Sequence, residues 1–104
     1  IANVIQDHGA FERGWLLGFR EDKFCFAICG RDTPKPNTGR LTYLTSLQPF
    51  HIRRWHHFAG VYDGQTMQLY IDGEKVAETD AQVGDIWYPP QAPFELGAYH
   101  DDNE

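Results

Sequence analysis

Two consecutive runs, each ending in Asp-Gly, constrain the fold of this chain more than any other feature. The first covers residues 55–64 and the second covers residues 67–73. Glycine accepts the positive φ that a tight hairpin turn needs, and aspartate tolerates it better than most residues. The second run alternates apolar Met67, Leu69 and Ile71 with more polar neighbours. A period of two is typical of a half-buried strand, so the pair of runs predicts a β-meander.

Alternating patterns of the same kind recur along the rest of the 104 residues. No window shows the 3.6-residue spacing of an amphipathic helix, so we expect no substantial helix. Residues 15–19 and 24–28 indicate a hairpin around a polar turn, and residues 30–39, which contain Pro and Gly, indicate a loop. A last strand is predicted over residues 94–98. About eight strands at intervals of roughly ten residues predict an all-β antiparallel β-sandwich or jelly roll.

The residue pattern of the two Asp-Gly runs resembles that of laminin G-like modules in the concanavalin A-like lectin/glucanase superfamily. Those modules pair a strand of the type W-H-H-x-A-x-x-Y-D-G with one of the type L-Y-x-D-G, and residues 55–76 follow both patterns closely. The resemblance implies a concanavalin A-like jelly roll that forms a single domain over residues 1–104. Laminin G-like modules are longer than this, so we expect the domain to be truncated at both ends.

Charge and hydropathy limit the partners that the chain can bind. Its formal net charge is −6, and its nine Lys and Arg are scattered, with Arg53-Arg54 as the only adjacent pair. Nucleic acid binding needs clustered cations, so we expect no nucleic acid partner. No apolar run approaches the ~20 residues that cross a bilayer, so we expect no membrane span. Any signal peptide would lie outside these residues.

Cysteine and histidine are the residues that could hold a soft metal ion. On one strand Cys25 and Cys29 would lie about 13 Å apart, at ~3.3 Å per residue. A disulfide tolerates Cα separations of at most about 7 Å, and a two-cysteine zinc site meets the same difficulty. We therefore predict two buried free thiols. Neighbouring His56 and His57 would point to opposite faces of a strand, and we predict that they are structural.

One sequence pattern bears on catalysis. Glucanases of the superfamily place their catalytic carboxylates in an E-x-D-x-E or E-x-D-x-x-E pattern on one strand, and Glu78-Thr79-Asp80 is the only E-x-D here. It lacks the second Glu, although a retaining glycosidase needs two carboxylates about 5–5.5 Å apart. We therefore predict no catalytic residues, and a glycoside-hydrolase relative of the same fold remains the enzymatic alternative.

Carbohydrate binding uses exposed aromatic rings as flat platforms, with a few polar groups that fix orientation. Four side chains fall outside the clear core patterns, and we predict them as ligand-binding residues: Trp87, Tyr88, Tyr99 and His100. For Trp87, the alternative is that its side chain is a core residue packed beneath a loop. Trp15 and Trp55 lie within core patterns and are predicted to be structural.

The acidic run at residues 101–104 gathers oxygen-rich side chains, the ligands that a hard cation prefers. Laminin G-like modules often hold calcium in their rim loops, and the resemblance extends this expectation to Asp101, Asp102 and Asn103. Asp7 or Asp63 could supply further ligands to the calcium ion. The alternative is a solvated acidic loop.

The resemblance implies a non-catalytic carbohydrate-recognition or adhesion module of a larger secreted or surface protein. Its location would be extracellular, at the cell surface or periplasmic. Its partners would be a glycan or an extracellular protein ligand, together with other domains of a parent chain. A purely structural accessory domain is a further alternative.

Overall fold

The computed structural model describes residues 1–7, 9, 11–49 and 53–98. Every regular element in these ranges is a β-strand, which confirms the all-β prediction. No helix within them is long and apolar enough to cross a membrane. The strands are β1 (Ala2–Asp7), β2 (Glu12–Arg20), β3 (Lys23–Ile28), β4 (Thr42–Thr45), β5 (Phe58–Tyr62), β6 (Met67–Ile71), β7 (Glu74–Thr79) and β8 (Glu95–Leu96).

These strands form two antiparallel sheets. The larger sheet has the order β4-β3-β2-β1-β8, and the smaller sheet has the order β5-β6-β7. β4 contacts both β6 and β7, so the smaller sheet lies over one end of the larger one. Two sheets packed around a shared core make a β-sandwich, as predicted.

The core between the sheets consists of alternate residues from facing strands. Met67 and Leu69 of β6 are fully buried, which confirms the period-two prediction for that strand. They pack against Phe26 and Ile28 of β3 and against Leu44 of β4. Each such side chain contributes about 1.5–3 kcal/mol of transfer free energy when it leaves water, so this cluster is the main stabilising element of the sandwich.

A second apolar cluster lies on the outer face of the larger sheet. It contains Ile5, Ala27, Cys29 and Leu41. Because Ala27 alternates along β3 with the residues of the inner core, β3 is buried on both faces. Cys29 and Cys25 are both fully buried and free, which confirms the prediction for the thiols.

The Asp-Gly turn between β6 and β7 has positive φ at both of its central residues. The φ angle is 52° at Asp72 and 83° at Gly73. Positive φ at both positions is the signature of the type I′ hairpin turn, whose twist matches that of the flanking strands. The predicted hairpin is therefore confirmed at its turn.

The β6–β7 hairpin contains a β-bulge that strict alternation does not predict. Leu69 pairs with Ala77, but Tyr70 pairs with Lys75, so Val76 is the extra residue. Val76 and Ala77 consequently both pack against the inner core.

The predicted core role of Trp55 is wrong, because this side chain is 100% exposed. β5 begins only at Phe58, and Arg53, two residues before Trp55, has a φ of 63°. Alternation predicts burial only within a paired strand, and residues 53–57 precede that strand. Phe58 packs against the inner core instead, and Trp15 does so as predicted.

Candidate functional site

Two adjoining recesses share the side chains of Tyr62, Ile86 and Tyr88, and together they form what we call the Tyr88 cleft. Their volumes are about 650 Å³ and about 320 Å³. Each lies within the range of roughly 300–1,000 Å³ that small-molecule sites occupy. The larger recess is also lined by Arg31, Asp63, Gly64, Gly84 and Asp85, and the smaller one by Trp15, Leu17, Phe26 and Gly60.

The two recesses differ in chemistry. The smaller one opens between β2 and β5 and is walled by aromatic and aliphatic side chains. The larger one has a guanidinium, on Arg31, and two carboxylates, on Asp63 and Asp85. Tyr88 belongs to both and is 53% exposed. An exposed ring beside polar groups is the arrangement that a sugar ring can stack on.

Gln82 holds the loop that carries Tyr88. Its side chain is fully buried, and all four of its hydrogen-bonding positions are used. The Oε1 atom accepts from the amide of Gly30 at 2.7 Å and from the hydroxyl of Thr33 at 2.7 Å. The Nε2 atom donates to the carbonyl of Arg40 at 2.8 Å and to the hydroxyl of Thr42 at 2.8 Å. A fully satisfied buried amide fixes the loop against the larger sheet.

Backbone hydrogen bonds continue this attachment toward Tyr88. Arg31 donates its amide to the carbonyl of Asp85 at 2.8 Å, and Asp32 donates to Val83 at 3.0 Å. Gly30 and Ile86 form an isolated β-bridge. The loop therefore runs as an extra extended segment beside the residues that follow β3.

The hydroxyl of Tyr62 closes the floor of the larger recess by donating to the carbonyl of Gly84. Burial raises the pKa of this phenol, and the nearby carboxylates of Asp63, Asp85 and Asp32 raise it further. The hydroxyl therefore stays protonated and acts as a donor at neutral pH.

The carboxylate of Asp63 shapes the turn beside the cleft. Its Oδ1 accepts from the amides of Thr66 at 2.8 Å and Gln65 at 2.9 Å. These two bonds lower its pKa, with Thr66 the larger cause. One of its oxygens is thus committed to the turn, although the sequence suggested this residue as a further ligand for calcium. Over the described ranges, no group of three or more His, Cys, Asp or Glu is placed to hold a metal ion.

Trp87 is half-buried and is less available than its neighbour. The guanidinium of Arg13 lies 3.6 Å from its ring centroid, and that of Arg31 lies at 5.7 Å. Its backbone amide donates to Cys29 and its carbonyl accepts from Gly14, both at 2.8 Å. This placement accords with the alternative that Trp87 is a packed residue beneath a loop, and Tyr88 next to it is the more exposed ring.

The other predicted site residues lie outside the described residues. These are Tyr99 and His100 for ligand binding, and Asp101, Asp102 and Asn103 for calcium. Both sites stay predictions at these positions.

The Glu78-Thr79-Asp80 pattern is at the end of β7. Glu78 accepts from the ammonium of Lys75 at 2.8 Å and from the amide of Gln68 at 3.3 Å. Both bonds lower its pKa, with Lys75 the larger cause. A general acid in glycoside hydrolysis needs a raised pKa, so this environment does not suit that role.

A further cleft of about 530 Å³ lies at the opposite end of β6, beside the β6–β7 turn. The Nδ1 of His56 is 3.0 Å from the Oδ2 of Asp72, and the Oδ1 of Asp72 accepts from the amide of His57 at 3.0 Å. The His56 ring packs edge-on against Phe24, with centroids 5.5 Å apart. His56 therefore ties the segment before β5 to the hairpin turn, which is the structural role predicted for it.

Comparison with known proteins places this architecture in a family. A family described as "Concanavalin A-like lectin/glucanases superfamily", of the laminin G type, matches residues 2–104. The chain is 31% identical over 87 residues to human (Homo sapiens) pappalysin-1 and 28% identical over 86 residues to the mouse (Mus musculus) protein. Each match covers 75% of this chain and 5% of the relative, so the chain spans about one twentieth of their length. No solved structure matches the chain significantly. The chain is a laminin G-like member of the concanavalin A-like lectin/glucanase superfamily.

Proposed function

We propose that this chain is a non-catalytic carbohydrate-recognition module of a larger secreted or cell-surface protein, and that the Tyr88 cleft binds its glycan. The observation that carries the proposal is the exposed ring of Tyr88 at the mouth of a cleft with both an apolar and a charged recess. The similarity to short segments of two much longer proteins supports the role of a module within a parent chain.

The chemistry of the cleft suits a sugar ring. The apolar face of a pyranose would stack on Tyr88, and the adjacent apolar recess would take a substituent of the ring. The carboxylates of Asp63 and Asp85 would accept hydrogen bonds from sugar hydroxyls, and Arg31 would donate them. The fixed loop lowers the cost of binding, since Gln82 orders it before any ligand arrives.

A glycan array tests the proposal with three variants. Tyr88→Ala should abolish binding of any glycan that the natural chain retains, whereas Tyr88→Phe should keep most of it because the stacking surface remains. Trp55→Ala is the matched control, since this exposed aromatic lies outside the residues that line the cleft. If Trp55→Ala removes binding and Tyr88→Ala does not, the site is elsewhere and the assignment fails.

Two alternatives have different signatures. A glycoside-hydrolase relative would release reducing ends from laminarin or agarose, and Glu78→Gln would abolish that release. A structural accessory domain, or an adhesion module for an extracellular protein, would bind none of the glycans on the array.

A further inference from the structure

The smaller, apolar recess of the Tyr88 cleft is walled largely by aromatic rings. Four of the seven residues that line it are aromatic: Trp15, Phe26, Tyr62 and Tyr88. The other three are Leu17, Gly60 and Ile86, so no carboxylate, amide or imidazole side chain of the described residues lines this recess. A group that enters it therefore meets mainly aromatic and aliphatic carbon.

The ring of Tyr62 also lines the larger recess, which holds negative charge. The carboxylates of Asp63 and Asp85 line that recess. The carboxylate of Asp32 lies against Gly84, which lines it as well. After burial, these three carboxylates are the largest causes of the raised pKa of the Tyr62 hydroxyl. Their negative potential therefore reaches a ring that the two recesses share.

Arg31 is the one cationic side chain among the described residues that line the larger recess. Its guanidinium lies 5.7 Å from the ring centroid of Trp87, a residue that lines neither recess. Arg31 does not line the apolar recess. Two lining carboxylates, with that of Asp32 beside them, outnumber one guanidinium, so the cleft favours a cation over an anion.

The kind of cation follows from the walls of the apolar recess. The face of an aromatic ring carries the negative part of its quadrupole, so it attracts a cation within about 6 Å of the centroid. A primary ammonium brings three N–H groups that need acceptors, and burying them without partners costs free energy. A quaternary ammonium has no N–H group, and its methyl groups pack on carbon. The recess therefore suits the quaternary cation.

We propose that the apolar recess of the Tyr88 cleft binds a quaternary ammonium group, of which choline is a simple example. Its methyl groups pack on the rings of Tyr62 and Tyr88, and the rest of the ligand extends into the larger recess beside Asp63 and Asp85. This inference rests on the proposed function for the location of the site, and it names the chemical group that the apolar recess takes.

The test is a titration of the natural chain with choline and with 3,3-dimethyl-1-butanol, its neutral isostere in which carbon replaces the ammonium nitrogen. The ring resonances of Tyr88 and the methyl resonances of Ile86 report binding in the cleft. Millimolar choline should shift both, and the isostere should bind about tenfold more weakly because it lacks the charge. Ethanolamine should also bind about tenfold more weakly, since it keeps its N–H groups in water.

Substitutions separate the contribution of the ring from that of the charge. Tyr88→Phe should keep choline binding, whereas Tyr88→Leu should weaken it about tenfold, because it removes the ring but keeps an apolar side chain. Asp85→Asn should weaken it about threefold, as expected for a solvent-exposed charge. Asp80→Asn is the matched control, since it removes the same charge from an exposed residue that lines neither recess. It should leave the affinity unchanged.

Three results would overturn the proposal. One is the absence of any shift in millimolar choline, and another is equal affinity for choline and its neutral isostere. The third is natural affinity for choline in both Tyr88→Leu and Asp85→Asn. Glycan binding that Tyr88→Ala abolishes, without any choline binding, would keep the proposed function and reject this inference. Choline binding in a chain that binds no glycan on the array would do the reverse.

Discussion

Gly60 of β5 lies flat against the ring of Phe26 in β3. A Cβ atom at Gly60 would lie 2.5 Å from two carbons of that ring, well inside van der Waals contact. This contact joins the edge strand of the smaller sheet to an inner strand of the larger one, and both residues line the apolar recess of the Tyr88 cleft. The absence of a side chain at position 60 therefore sets the spacing of the two sheets at this point.

Gly60→Ala should lower the free energy of unfolding by about 1–3 kcal/mol, because the added methyl overpacks the core. Chemical denaturation measures the change. A second substitution, Phe26→Ala, should make Gly60→Ala less costly than it is in the natural chain, since it removes the ring carbons that clash. Additive effects in the double-mutant cycle would show that the two residues are not coupled.

Leu69→Ala should lower the free energy of unfolding by about 2–5 kcal/mol, as is usual for a fully buried leucine. Gln68→Ala, one residue earlier on the outer face of β6, should change it by less than about 0.5 kcal/mol. Urea unfolding of both variants checks this. Equal losses would contradict the register of β6.

Gln82→Ala should lower the free energy of unfolding by about 3 kcal/mol, because it leaves several buried groups without partners at once. Hydrogen exchange at the amide of Gly30, which loses its acceptor, should accelerate. Gln65→Ala, at an exposed turn residue, is the control and should have little effect. An unchanged exchange rate at Gly30 would mean that the loop is held by other contacts.

Cys25 and Cys29 should react with a thiol reagent only when the protein unfolds, because burial raises the pKa of both thiols, that of Cys25 to about 11. In the unfolded chain Cys25 loses its proton near pH 9, while in the folded chain it keeps it until about pH 11. The unfolded state therefore binds fewer protons in that window, and the free energy of unfolding falls as the pH rises through it. Cys25→Ala should flatten this decline. Rapid labelling of native protein at pH 8 would contradict the burial.

Calcium should raise the melting temperature if Asp101, Asp102 and Asn103 form a site, because a ligand that binds only the folded state stabilises it. At a hundredfold excess over Kd the gain is about 2.7 kcal/mol, which amounts to several degrees in a domain of this size. Magnesium should do much less, since it needs stricter geometry. An identical melting curve in millimolar calcium would favour a solvated acidic loop.

Local patterns in the sequence were enough to predict most of the strands. The alternation in β6 and the Asp-Gly turn at residues 72–73 depend on neighbouring residues alone, so both are confirmed. The bulge at Val76 and the late start of β5 depend on how strands pair, and the periodicity does not contain that information. Trp55 was misassigned for this reason.

The candidate site also depends partly on local sequence and partly on tertiary structure. The sequence pointed to Tyr88 through its type and its position outside the core patterns, but it could not separate Tyr88 from Trp87. The tertiary structure separates the two by exposure alone: Arg13 lies over the tryptophan ring, whereas the side chain of Tyr88 is 53% exposed. Gln82 carries no motif at all, because its role depends on partners 40 to 52 residues away in sequence. A sequence by itself determines which short segments form strands and turns. Long-range packing decides which polar side chains are satisfied and which still lack a partner, since burial and hydrogen bonding are properties of the folded chain.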